Sequence, residues 1–427
     1  MKVFFHTLGC KVNRYETEKM LSELEGIGFT LTDTPRDADL IVINSCTVTA
    51  ESDRKTRQIT RRYKRQNEGA IILLTGCMPQ AFPRDAEELP ADIILGNGAE
   101  RNIVKAVTEY LGSHARIVKI SPHKKGEIFE GGVLEDFSER TRAYMKIEDG
   151  CDRGCTYCII PKARGRVRSR SLEDIELEAE NLAKKGFKEI ILVGINLSSF
   201  GKDTSLTLAD AVKTVADIKG IERVRLGSLE PDLTDDALLD ALSKIPKFCP
   251  QFHLSLQSGS EATLKRMNRL YSASEYLALT QKIKGIWHNA SITTDIMVGF
   301  IGESDEEFNE SLEFAKKVGF LKAHIFPYSV REGTFAATMK GRVNEAVKAD
   351  RAAKMAEECD KISEEILKSL IGHTRSVLFE QRSGEYSHGY SEDYISVYVK
   401  EDITPGEIKN IKILGTLNDG VLAEIIK

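Results

Sequence analysis

Three cysteines within eight residues, Cys151-Asp-Arg-Gly-Cys155-Thr-Tyr-Cys158, are the densest concentration of metal-binding chemistry in this sequence. Thiolates at C-x3-C-x2-C spacing can hold one face of an iron–sulfur cube and leave its fourth iron without a protein ligand. That vacancy can chelate a small molecule. The competing assignment is zinc, which normally takes four ligands in paired C-x2-C units. No fourth Cys or His lies nearby in sequence, so the spacing favours the cube.

A second set is dispersed but regular. Cys10 follows VFFHTLG, Cys46 follows LIVINS and Cys77 follows IILLTG, at intervals of 36 and 31 residues. Each interval suits one strand–helix unit. All three are therefore expected just past the C-terminal ends of parallel strands, where an open α/β sheet forms its ligand crevice. The plain alternative is that each is a small buried hydrophobe. That suits one cysteine better than three at equivalent positions. Cys249 and Cys359 have no such company and are expected to be inert.

The elements that position these residues are legible as patterns. Residues 1–112 alternate short apolar runs with polar helix-forming segments, the mark of an open parallel α/β sheet. The pattern lapses over 113–140, which reads as a linker. From 141, YMKIEDG, EIILVGIN, RVRLGSLE, FHLSLQSG, TTDIMVGF and AHIFPYS read as six strands, each followed by a helical segment. Capping boxes are expected at Ser171-x-x-Asp174, Ser272-x-x-Glu275 and Ser304-x-x-Glu307. Six βα units suggest a partial barrel, smaller than the usual eight-fold one, with Cys151 just after its first strand, where such barrels place chemistry. A long amphipathic helix over roughly 343–370 ends near Gly372. The short alternating runs in 374–427 (SVLFEQ, YISVYVK, IKNIKILG, VLAEII) suggest a small antiparallel β-barrel. The fold class is α/β throughout except in this last part.

The chain has 427 residues, 41% hydrophobic and 29% charged, with a net charge of −5. Such a composition excludes collagen, a membrane bundle and a disordered tail. The N-terminus reads as a strand rather than a signal peptide, so a cytoplasmic protein that does not engage a membrane is expected. In that compartment a disulfide framework is improbable. A polyanion partner would have to be held by local patches. Residues 54–65 hold seven Lys/Arg and no acid, and residues 162–170 hold five and no acid. Arg61, Arg62 and Arg65 in the first run, with Arg164, Arg166 and Arg168 in the second, are the candidate phosphate contacts, weighed against the usual solvated charged face. Residues 375–427 carry six basic and nine acidic side chains, which would suit a basic protein better than RNA.

The C-x3-C-x2-C motif on a βα barrel resembles the radical S-adenosylmethionine (SAM) superfamily. With three N-terminal cysteines and a terminal small β-barrel, the whole chain resembles the methylthiotransferases. That resemblance implies a methylthiotransferase domain over 1–120, a radical SAM domain over 137–345, a connecting helix over 346–372 and a TRAM domain over 373–427. Within the family, HTLGCKVNRYETE (6–18) and CDRGCTYCIIPKARGRVRSR (151–170) resemble the branch acting on N6-threonylcarbamoyladenosine in tRNA. Other branches act on isopentenyl-adenosine in tRNA or on an aspartate of a ribosomal protein.

By the same resemblance, Cys151, Cys155 and Cys158 would hold the radical SAM 4Fe–4S cluster, and Cys10, Cys46 and Cys77 an auxiliary 4Fe–4S cluster carrying the sulfur. One SAM would methylate that sulfur. A second would give the 5′-deoxyadenosyl radical that activates adenine C2, with the cofactor supplying the chemistry and the protein the geometry. Tyr157 would lie beside the SAM adenine. Gly194, Asn196, Ser228, Glu230, Gln257 and Asp295, at the ends of later strands, would contact SAM or substrate. For Gly194, Ser228, Glu230 and Gln257 turn or capping chemistry is the competing assignment. The chain differs from the family at Ile301, usually Pro, and at Gly227, where Ser is common. The implied partners are the tRNA anticodon loop, whose unpaired bases can be splayed out, and a low-potential electron donor such as flavodoxin or ferredoxin. The source of the sulfur stays open. A non-catalytic RNA-binding protein is the alternative from another class; it would need no iron.

Overall fold

The computed structural model describes residues 1–99, 102–129, 131–134 and 141–426. The start of the expected radical SAM domain at 137 and part of the expected linker lie outside the described residues. Among the described residues no helix is long and apolar enough to cross a membrane.

The N-terminal body is a six-stranded sheet of β1 (Lys2–Thr7), β2 (Thr30–Leu31), β3 (Leu40–Ser45), β4 (Ile71–Gly76), β5 (Ile93–Leu95) and β6 (Ile117–Lys119), in spatial order β2-β1-β3-β4-β5-β6. Every pairing is parallel. LIVINS and IILLTG are buried along their whole length because helices cover both faces. Alternate residues feed two cores: Leu40, Val42, Leu73 and Ile93 on one face, Ile41, Ile43, Leu74 and Ile94 on the other. Strand β6 lies inside the stretch expected to be a linker. Its three residues are too few to show an alternating pattern, and pairing with β5 is what makes them a strand.

The central body has β7 (Arg142–Lys146), β8 (Glu148–Asp149), β9 (Arg168–Ser169), β10 (Glu189–Val193), β11 (Arg223–Leu226), β12 (Ser228–Leu229), β13 (Gln251–Leu254), β14 (Ser291–Val298) and β15 (Lys322–Pro327). The order β7-β10-β11 continues as β12-β13-β14-β15, all parallel. This is the expected partial barrel, its third strand broken at Gly227. The Gly227 N–H bonds the Leu192 carbonyl at 2.8 Å, and a Cβ there would sit 3.2 Å from the same oxygen. Glycine at position 227 therefore suits the break. Full capping boxes form at Ser272/Glu275 and Ser304/Glu307, and another at Thr207/Asp210. At Ser171 only the half in which the hydroxyl accepts from Asp174 N–H is present.

The helix Glu345–Ser369 leaves the barrel and joins two cores. Met355, Cys359 and Ile362 pack into the βα core, while Leu367 packs into the C-terminal one. The last body is a closed barrel of β16 (Thr374–Ser383), β17 (Tyr386–Ser391), β18 (Ser396–Val399), β19 (Ile408–Leu417) and β20 (Gly420–Ile425), in order β16-β17-β18-β20-β19. Two details correct the sequence expectation. Strand β17, YSHGYS, carries too little apolar alternation to be seen beforehand. The β18–β20 pairing is parallel, so the barrel is not wholly antiparallel.

Candidate active site

The register of the first sheet brings the ends of β1, β3 and β4 to one rim. Thr7 pairs with Asn44, and Ser45 pairs with Gly76. Cys10, Cys46 and Cys77 follow those ends. Gly9 and Gly76, at φ +112° and +97°, adopt the left-handed region that glycine tolerates. A Cβ on Gly9 would stand 2.9 Å from the Cys46 Cβ, and one on Gly76 would stand 2.5 Å from the Ser45 carbonyl oxygen. The glycine before each of these two cysteines is thus what lets the loops approach.

Asn13 ties the loops together by donating to the carbonyls of Leu8 and Ser45, both at 3.0 Å. Cys10 is the N-cap of the helix Lys11–Glu25 and has no capping side-chain bond, so the positive helix end is open to negative charge. Cys77 is buried, and burial pushes its thiol up to about 12, against the opposing pull of Arg164. Burial raises Cys46 as well. Thiols this reluctant to ionise alone become thiolates only beside a strong cation, which is what iron supplies.

Cys151, Cys155 and Cys158 lie in the loop after β8, which the β8–β9 pairing closes. The loop is pinned by main-chain bonds: Cys151 N–H to Gly165 O at 3.0 Å, Thr156 N–H to Met267 O at 3.0 Å and Ala336 N–H to Thr156 O at 2.8 Å. Burial pushes Cys151 up to about 11 and Cys158 up to about 12. Donors face the sulfurs: Asn196 Nδ2 at 3.5 Å from Cys151 Sγ and Arg269 Nη1 at 3.3 Å from Cys155 Sγ. Such N–H···S bonds are a lever on cluster potential. Among the described residues no three Cys, His, Asp or Glu side chains crowd tightly enough to share one metal ion. A 4Fe–4S cube, by contrast, takes each thiolate on a different iron.

The two triplets are neighbours. Cys77 and Ala81 pack with Ile159 and Ala163, on the segment that follows Cys158. Arg164, the last residue of the short helix Ile160–Arg164, bonds Cys77 Sγ. A cavity of about 1120 Å³ opens between the three bodies, with Cys10, Gly194, Ser228, Asp295 and Tyr394 on its wall.

The other expected site residues are placed as follows. Tyr157 is half-buried, edge-on to Phe300 at 6.1 Å between ring centres. Gly194 has no room for a side chain, since a Cβ would meet Glu148 Oε2 at 2.5 Å. Asn196 is buried; its N–H bonds that same carboxyl at 2.8 Å, and its Oδ1 has no partner. That orphaned acceptor belongs to the side chain that donates to Cys151, and its chemistry suits a donor such as an amino group. Ser228 is exposed on the cavity wall. Glu230 pairs with Arg269, the residue that bonds Cys155. Gln257 sits at φ +66°, bridging to β14 through Asp295 O and Met297 N. Asp295 faces His253 Nε2 at 3.4 Å.

The basic runs divide. Arg61, Arg62 and Arg65 are exposed on the helix Ala50–Gln66, and Arg166 is exposed at a smaller cavity that Cys151 also lines. Arg164 and Arg168 are corrections: both are buried. Arg164 pairs with Glu16 and Arg168 with Asp149, leaving neither free for a phosphate. Sequence reasoning missed Asn13, Glu16, Arg164 as a thiol partner, and Arg269. Asn13 and Glu16 lie about one and two helical turns beyond Cys10, which was a usable signal. Arg269 is 114 residues from Cys155, and nothing local marks it.

Comparison with known proteins agrees with this architecture. The radical SAM superfamily profile matches residues 145–315. The uncharacterized protein family UPF0004 matches residues 2–96. The chain is 37% identical to the threonylcarbamoyladenosine tRNA methylthiotransferase MtaB of Thermotoga maritima, covering 99% of this chain and 96% of that protein. It is 35% identical to MtaB of Bacillus subtilis over 100% of this chain and 97% of that one. A tRNA-2-methylthio-N(6)-dimethylallyladenosine synthase of Clostridium botulinum is 37% identical, covering 96% and 94%. In fold, the radical SAM methyltransferase TsrM of Kitasatospora setae aligns over 76% of this chain and 72% of its own, at a TM-score of 0.57 and 14% identity. The chain belongs to the radical SAM methylthiotransferase family and is an enzyme whose cofactors are S-adenosylmethionine and two 4Fe–4S clusters.

Proposed function

We propose that this enzyme converts N6-threonylcarbamoyladenosine beside the anticodon of tRNA to its 2-methylthio derivative. The observation that carries this reading is likeness along the full length to relatives named for that nucleoside, in both Thermotoga maritima and Bacillus subtilis. When bound, the clusters and SAM supply one-electron chemistry and the sulfur for transfer.

The residues divide the remaining work. Cys151, Cys155 and Cys158 hold one cluster and Cys10, Cys46 and Cys77 the other. Asn196 and Arg269 keep donors on the first triplet's sulfurs, and Arg164 does so on Cys77. Tyr157, Gly194, Glu230 and Gln257 shape the SAM pocket at the strand ends; Ser228 and Asp295 line the cavity that Cys10 also lines and contact the adenine there. The electron donor is of the flavodoxin or ferredoxin class.

The acidic balance of residues 375–427 supports a second reading, methylthiolation of an aspartate in a basic ribosomal protein. Mass spectrometry of nucleosides from a null strain separates the two. Loss of 2-methylthio-N6-threonylcarbamoyladenosine is expected. Persistence of that nucleoside together with an unmodified ribosomal aspartate would favour the second reading.

A further inference from the structure

A cation without a counter-charge stands in the shared cavity, next to Cys10. Lys11 is the first residue of the helix Lys11–Glu25 and lines the cavity beside that thiol. Among the described residues its ammonium makes no hydrogen bond or ion pair. The groups that act on it most strongly are Tyr394, Arg225, Arg142 and Cys10, and no carboxylate is among them. His324 also lies within its electrostatic range. The neighbouring guanidinium groups are already balanced: Arg225 pairs with Glu189, and Arg142 with Glu380. Asp295, on the same wall, faces His253. Lys11 is thus the one unbalanced cation among these groups, and an anion is what it fits.

The chemistry of the adenine says where that anion would come from. C2 and the N6 substituent flank N1, on one edge of the purine. A base presenting C2 to the sulfur held near Cys10 therefore keeps its N6 substituent within the same cavity, whose wall Lys11 shares. We propose that Lys11 determines substrate specificity by pairing with a carboxylate on the N6 substituent of the target adenine. This rests on the reading that the substrate is the threonylcarbamoyl nucleoside, whose substituent ends in a carboxylate; an isopentenyl substituent has none. The methionyl carboxylate of SAM is the other source of the same chemistry, and the test must separate them.

The test uses anaerobic holoenzyme and anticodon stem-loop RNAs carrying threonylcarbamoyladenosine, its carboxyl methyl ester, or isopentenyl-adenosine. Binding is read by fluorescence anisotropy without SAM, and SAM affinity is measured separately. Wild type should bind the free acid about tenfold more tightly than the ester, the range of one charge-assisted hydrogen bond. Lys11→Gln should lose that preference while keeping its affinity for the ester, its iron and its SAM affinity. Lys11→Arg should retain the preference, and Lys11→Met supplies the neutral arm if Lys11→Gln does not hold its iron. A preference unchanged in the neutral variants overturns the role of Lys11 while upholding the acidic substrate. Weakened SAM binding with the preference intact assigns Lys11 to the methionyl carboxylate and overturns the proposal. A wild type that does not discriminate acid from ester overturns both the proposal and the reading beneath it.

Discussion

Arg164 Nε donates to Cys77 Sγ at 3.2 Å, across the boundary between the βα barrel and the N-terminal sheet. The same guanidinium pairs with Glu16 and donates to Asn13 Oδ1 at 3.0 Å. Lys146, in turn, bonds Glu16 at 2.7 Å and Asp149 at 2.8 Å. Arg164 is fully buried, so its charge is tolerable only because this network surrounds it.

Removing the guanidinium leaves Glu16 and Cys77 short of a partner in the interior. Arg164→Gln should destabilise the fold by about 3 kcal/mol, the cost of breaking a buried pair. It should also lower the iron bound at the auxiliary triplet. Arg164→Lys should not restore either property, because one ammonium cannot reach three partners in a planar fork. Anaerobic iron counts and thermal melts test this; wild-type values for both in Arg164→Gln would refute it.

The two triplets should be separable by iron content. Cys46→Ala and Cys155→Ala should each retain about four of about eight irons, as expected for two independent cubes. Cys46→Ala should still cleave SAM when reduced but transfer no sulfur, whereas Cys155→Ala should do neither. Loss of all iron in either variant would show that the clusters do not assemble independently.

Glu148 makes a prediction about pH. It is fully buried and accepts from Asn196 N–H, but its Oε1 has no partner, and burial raises its pKa well above the ordinary carboxylate value. The folded protein therefore keeps a proton that the unfolded chain releases near the usual carboxylate range. Stability from this group is complete below that range and falls as pH rises toward the folded value. Glu148→Gln keeps an acceptor for Asn196 and removes the titration. It should raise the melting temperature at pH 7 to 8, with the difference shrinking toward pH 4. A difference that does not depend on pH would contradict this account.

The arginines on the helix Ala50–Gln66 should behave differently from those near the cluster. Arg61→Ala with Arg65→Ala should weaken tRNA binding across sequences and flatten its salt dependence by about one unit of slope for each phosphate no longer neutralised. Arg168→Ala should leave the slope unchanged, because Arg168 is engaged by Asp149 and by the Arg164 carbonyl. Titrations of stem-loop RNA at several salt concentrations measure both.

Much of this enzyme was written in local pattern. The runs LIVINS and IILLTG announced buried parallel strands, and cysteines directly after them had to share a rim, since parallel strands end on the same side. The C-x3-C-x2-C spacing carried its chemistry within eight residues. Capping residues marked several helix starts because that signal is confined to one turn. Where the signal was short or polar, as in β6 and β17, pattern failed and pairing with a neighbouring strand decided the structure.

Only the tertiary structure decided the fate of the charged residues. KARGRVRSR reads as a basic surface, yet Arg164 and Arg168 are buried while Arg166, between them, is exposed. Whether an arginine meets solvent depends on acids elsewhere in the chain, here Glu16 and Asp149, and neither distance nor orientation to them is encoded nearby. The same holds for Arg269 beside Cys155 and for Lys11 left without a counter-charge in the cavity. Backbone pattern is set by neighbours along the chain, whereas the balance of charge at a site is set by residues that meet only when the three bodies pack together.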